Sequence, residues 1–181
     1  MHSTRLRPKA VSPRNADTVS QKSTVSYLKH ATGPGRKYMN NDTVNLLREC
    51  NAGIKMGENA IKKVLPRVKD NHLKQALENC KNTHADLGDR THGLLLSAGE
   101  DTKPPHAIAG IMSDMKISFM MAVNESDGEV ASLMTDGCNM GIKSLCKSIN
   151  KYKNADKRSR DIARELIASE EYLETTMRGY L

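Results

Sequence analysis

From Met39 onward, apolar residues recur every three or four positions and no stretch alternates, so the chain reads as helical throughout. The first helix is predicted from about Asp42 to about Val68, with Asn41 or Asp42 as N-cap. Its apolar seam is Leu47, Cys50, Ile54, Gly57, Ile61, Val64 and Val68, and Pro66 should fray its last turn. After Lys69-Asp70-Asn71, a second helix carries Leu73, Leu77, Cys80, His84, Leu87, Thr91, Leu94 and Ala98 on one side and stops at Gly99. Two long helices so closely joined are expected to pack as an antiparallel hairpin. Residues 99–126 change character: a polar loop and Pro104-Pro105 precede a shorter helix, about His106 to Ala122, that carries Ile108, Ile111, Met112, Met115, Phe119, Met120 and Met121. Ser126 and Glu129 form an S-x-x-E capping box. It opens a helix with Ala131, Met134, Cys138, Ile142, Leu145, Ile149 and Tyr152 inward. The turn Lys153–Asp156 leads to a last helix that turns Ile162, Leu166, Leu173, Met177 and Tyr180 inward.

The chain also repeats itself. Cys50-Asn51-Ala52-Gly53-Ile54-Lys55 returns 88 residues later as Cys138-Asn139-Met140-Gly141-Ile142-Lys143, in phase through Ile61 and Ile149. One residue further in phase, Leu73 and Leu77 match Ile162 and Leu166. The two hairpins therefore read as one unit used twice. Hairpin, long crossover, hairpin is the topology of a ferritin-like four-helix bundle, all-α, with the crossover running its length. On this plan, the two Cys-Asn-x-Gly-Ile-Lys segments and His84-Ala85-Asp86, residues 42–181 resemble the uncharacterised ferritin-like proteins of bacteria. The resemblance implies a small bundle of unassigned function. In ferritin-like carboxylate proteins such a bundle holds two metals through Glu and Glu-x-x-His groups.

Charge divides the chain further. Eight basic residues (Arg5, Arg7, Lys9, Arg14, Lys22, Lys29, Arg36, Lys37) face only Asp17 within residues 1–38, so this segment holds the whole net charge of +7. Its Ser, Thr, Pro and Gly content marks a disordered extension. It reads as a polyanion-binding arm, a transit peptide or, the reading we favour, translated upstream sequence with the native start at Met39; codons for Gly35-Arg36-Lys37 would resemble a ribosome-binding site. Residues 39–181 form the domain, for which no nucleic-acid partner is expected. Scarce aromatics (one Phe, five Tyr, no Trp) argue against base stacking. No apolar run reaches a membrane span, and a bacterial, cytoplasmic protein with no membrane partner is expected.

Phosphate loops, nucleophile elbows and strand patterns to carry them are absent from the sequence. It has no Glu-x-x-His, and between Gly137 and Asn154 no acid, so a complete di-iron centre is not expected. What survives is a partial set near mid-bundle: Glu58 beside the first seam, His84 on the second, and Glu170 or Glu171 on the last helix. Two readings stay open: one divalent ion (iron, manganese or zinc) held by Glu58, His84 and a last-helix carboxylate, or a buried imidazole bonded to one of those acids without metal. The four cysteines lack a C-x-x-C and read as buried free thiols. Cys80 and His84 share a helix face, but Cys50 and Cys138 fall toward opposite ends of the bundle. The crossover methionines read as core filler, with a dimer or partner surface as the alternative. Lys157–Arg160 opposes the dipole of the last helix and marks an interaction patch. The function expected is a non-enzymatic bundle with one metal in a degenerate site; the alternatives are a metal-free interaction module, homodimeric or with a protein partner, and a di-iron redox enzyme.

Overall fold

The computed structural model describes residues 39–103 and 126–181. Four helices form there: α1 (Asn41–Val64), α2 (Asn71–Ala98), α3 (Asp127–Lys151) and α4 (Lys157–Met177), with 3-10 turns at Leu65–Arg67 and Arg178–Tyr180. The shorter helix expected near 106–122, with its methionines, and residues 1–38 lie outside the described residues. Each helix starts at a side chain that accepts the amide of its third residue: Asn40 from Thr43, Asp70 from Leu73, Ser126 from Glu129 and Asp156 from Ser159. Such caps satisfy amides that the helix itself leaves unpaired.

Two boundaries differ from expectation. The first cap is Asn40, because Asp42 is engaged elsewhere, accepting from the amide of Asn154 at 2.9 Å. The first helix also ends at Val64 rather than Val68: Pro66 cannot donate to the α-helical ladder, and the chain tightens to a 3-10 turn. Gly99 closes α2 at φ 75°, where a side chain would be strained, while the amides of Gly99 and Glu100 reach Leu96 and Leu95.

The interhelix ties define the topology. At one end, Asn40 and Asp42 hold the α3–α4 turn through Asn154, and Thr43 accepts from the Asp156 amide. At the other, Asp127 accepts the amides of Lys69 and Asp70, and the Tyr180 hydroxyl donates to Asp70 at 2.7 Å. Helix α1 therefore runs antiparallel to α2 and α3 and parallel to α4. The exit from α2 is fastened to the first half of α1, by Arg48 to Glu100 and Asp101 and by Asn51 to the Thr102 carbonyl. The chain leaves α2 at one end of the bundle and enters α3 at the other.

Two apolar clusters fill the interior. One joins Leu47, Cys50 and Ile54 to Leu87, Leu145, Ile162 and Leu166. The other joins Ile61 and Val64 to Leu73, Leu77, Cys138, Leu173 and Met177. Each takes the two outer ends of one hairpin and the residues around the turn of the other, as a two-fold axis across the bundle requires. The offset that pairs Leu77 with Leu166 also pairs Cys80 with Ser169, whose side chains touch at 3.5 Å where that axis passes. The basic start of α4 is explained locally: Lys157 pairs with Asp161 at 2.6 Å and Arg160 donates to the Ala155 carbonyl at 2.7 Å. No helix among the described residues is long and apolar enough to cross a membrane.

Gly93, inside α2, has nothing within 4 Å of the position a Cβ would take. Gly93→Ala should therefore stabilise the fold by about 0.5–1 kcal/mol, through helix propensity alone. A urea melt checks it; an unchanged or lower midpoint would contradict the open surroundings.

Candidate functional site

Between the two apolar clusters lies a polar layer to which all four helices contribute. His84, 1% exposed, projects from the middle of α2. Its Nδ1 stands 2.9 Å from the Cys80 carbonyl oxygen. A carbonyl only accepts, so Nδ1 carries a proton and donates it. Nε2 is thereby turned to Glu170 Oε1 on α4, 3.2 Å away. Burial opposes a charge on this imidazole, but the Cys80 side chain, with its sulfur 3.5 Å from Nδ1, and the Glu170 side chain outweigh it and raise its pKa to about 10. The layer is a buried histidine–glutamate pair whose surroundings favour the charged imidazole.

Two glycines make room for it. A Cβ on Gly57 of α1 would lie 2.6 Å from His84 Nε2, and one on Gly141 of α3 would lie 3.1 Å from the Glu170 carboxylate. Repeat-equivalent positions differ where it matters: Leu145 matches Gly57, Leu173 matches His84 and Lys81 matches Glu170. The duplicated unit therefore supplies the pair once, not twice.

Of the four residues expected to hold a metal, the fold brings together His84 and Glu170. Glu58 sits one position off the seam, and its carboxylate is drawn to Lys62, one turn along, at 2.8 Å. Glu171 faces solvent. Among the described residues, no group of three or more His, Cys, Asp or Glu side chains is placed to hold a metal ion.

A cavity of about 60 Å³ opens beside the pair, between α1 and α3. Its walls are Gly53, Met56 and Gly57 on one helix and Met134, Cys138 and Gly141 on the other, with Cys80, His84 and Glu170 among its lining. Glu49 also borders it, a buried acid that received no role from the seam pattern and that accepts from the Tyr152 hydroxyl at 3.3 Å. Burial raises the Glu49 pKa, against smaller opposing effects from Tyr152 and Lys151.

Three cysteines are buried; Cys146 is exposed, because the α3 seam passes through Leu145 and leaves the next residue facing outward. Cys50 and Cys138 lie in opposite clusters, as the repeat predicts. Burial raises the Cys50 pKa to about 12. Burial, with Glu170 nearby, lifts Cys138 well above the ordinary thiol range. Neither is a ready nucleophile, since the thiolate is the reactive form.

Fold and site define a four-helix bundle with an internal two-fold and one buried charged layer. In this architecture the chain is similar to a crystal structure of a DUF305 fragment from Deinococcus radiodurans, at a TM-score of 0.60 and 10% identity, over 79% of this chain and 97% of that one. No family model matches the chain, and no curated protein does.

Proposed function

We propose that this chain is a non-enzymatic, ferritin-like metal-binding bundle that takes one divalent ion at mid-bundle, between His84 and Glu170. The observation that carries the reading is the pose of the pair. With Nδ1 committed to a backbone carbonyl, Nε2 is the ring atom left for a ligand, the usual outer-shell arrangement of a metal-binding histidine. Two ligand atoms each ~2.1 Å from one ion stand roughly 3.0–3.4 Å apart, and Nε2 and Oε1 are 3.2 Å apart. The two-metal centre of ferritin-like proteins does not fit these residues, because Glu58 is engaged by Lys62 and His84 has no repeat mate. A homodimer or protein partner through the outer helix faces is compatible with this reading and is not needed by it.

An ion bound only by the folded chain stabilises it. Zinc, manganese or iron(II) at 100 times its dissociation constant should add about 3 kcal/mol and raise the melting temperature by roughly 10 °C. His84→Ala should abolish the response. Melting curves of the full chain with and without each ion decide this, and no response to any of them would remove the proposal.

A further inference from the structure

We infer that the cavity between α1 and α3 binds a short aliphatic primary amine, with the ammonium on Glu49 and the alkyl chain running toward the His84–Glu170 layer. The inference goes beyond the one-ion reading and does not depend on it. Glu49 is an acid only 8% exposed that lines the cavity. Among the described residues, its Oε1 accepts from the Tyr152 hydroxyl and its Oε2 takes no hydrogen bond. Oε2 is not sealed in the interior either: among the described residues, the fully enclosed side-chain oxygen left without a partner is that of Thr135. A carboxylate oxygen that is neither bonded nor enclosed, on a buried residue of the cavity wall, is left to meet whatever occupies the cavity. Burial disfavours a charge on this carboxyl. Lys151, the cation that acts on it, is turned over the Tyr152 ring, 5.0 Å from the centroid. An ammonium at Oε2 supplies the counter-charge that a buried carboxylate needs.

The rest of the cavity suits an alkyl chain. Gly53, one turn beyond Glu49 on α1, presents no side chain, and a Cβ there would meet nothing closer than Leu166 at 3.9 Å. Met56 and Leu145 border the same space. The lane ends at Gly57, where His84 stands in the place of a side chain, about 12 Å along the helix from Glu49 at 1.5 Å per residue. At roughly 10–15 Å³ for each water-sized occupant, the cavity of about 60 Å³ holds about four to six such atoms, the size of butylammonium. His84 already meets Glu170 at the far end, so one ammonium completes the charges and a second would crowd the imidazole. An anion would face Glu49 and Glu170 together, and a neutral alcohol would leave Glu49 without a counter-charge. Met140, which is exposed, and Met56, which is half-buried, border the cavity, so a ligand enters past two adaptable side chains.

The test is a titration of the full, metal-free chain at pH 7 and constant ionic strength with n-butylamine, butan-1-ol and butyrate in turn, followed by the amide shifts of α1 and α3 in NMR spectra. Butylamine should bind saturably, one per chain, and about 10-fold more tightly than butanol, the difference between a charge-assisted and a neutral hydrogen bond. Glu49→Gln keeps the shape of the side chain and an acceptor for Tyr152, and should bring the amine down to the level of the alcohol. Tyr152→Phe, which leaves both Glu49 oxygens open, should keep the preference for the amine. The three ligands on the natural chain are decisive even if a variant fails to fold. Butanol or butyrate bound as tightly as the amine would overturn the assignment of the ammonium to Glu49, as would an amine preference that survives Glu49→Gln. Saturable binding of none of the three would overturn the cavity as a ligand site. Each of these outcomes leaves the ion at His84 and Glu170 to the melting curves with metal.

Discussion

Replacing Glu170 with Ala is expected to destabilise the metal-free chain by about 3 kcal/mol at pH 7, or roughly 10 °C in melting temperature. That is the low end for breaking a buried ion pair, because an imidazole left alone can shed its proton where a lysine or arginine would stay charged. The effect carries a pH signature. Folded His84 holds its proton up to about pH 10, against an ordinary value of 6.5. A raised pKa in the folded state means that the contribution of the pair is complete below about pH 6.5 and is withdrawn as the pH climbs through 10. The stability of the natural chain should therefore fall over that window, while Glu170→Ala follows a flatter curve. Parallel curves would show that Glu170 does not hold the proton on His84.

The double variant His84→Leu/Glu170→Leu separates stability from function. A buried pair exchanged for apolar groups of similar size is often neutral or stabilising, and Leu173 already fills the repeat-equivalent place of His84. The double variant should recover to within about 1 kcal/mol of the natural chain and should not respond to metal.

Gly57→Ala should be destabilising, by about 2 kcal/mol, although alanine is the better helix former by about 1 kcal/mol. The new Cβ would fall 2.6 Å from Nε2 and 2.8 Å from Cδ2 of a ring held on both sides, by the Cys80 carbonyl and by Glu170. The ring cannot swing aside without giving up one of these bonds. Gly53→Ala, one turn away with its nearest neighbour at 3.9 Å, is the control and should be tolerated. Equal chemical-denaturation midpoints for the two variants would show that His84 does not press on α1.

Much of this architecture was legible in the chain. Most seam residues of the four helices point inward and the Ser126 cap forms, because a 3.6-residue period and a capping side chain act over a few residues; the seam drifts near the end of α2, where Leu95 rather than Leu94 is buried, and on α3 Ile142 and Ile149 stay half-buried. The site was legible in part. His84 lay on its seam, and Glu170 continued the spacing from Leu166 to Leu173, which would have selected it over Glu171. Glu58 misled because its depth was right but its angle around the helix was not, and a lysine one turn away captures it. Gly57 read as a small seam residue; its purpose becomes visible only with the imidazole of another helix against it. Glu49 was invisible for the same reason, since its hydrogen-bond partner Tyr152 stands 103 residues further along. Cys138 was placed correctly relative to Cys50, but a one-dimensional repeat does not show that its half of the bundle also holds Cys80 at the edge of the charged layer.

The metal content of the full chain tests the central claim most directly, measured by elemental analysis after purification without chelators or affinity tags, beside His84→Ala and Glu170→Ala. The account predicts close to one equivalent of a divalent metal per chain and its loss from both variants. Metal-free natural protein that stays so after incubation with zinc, manganese and iron(II) would contradict it and leave His84 and Glu170 as a structural ion pair.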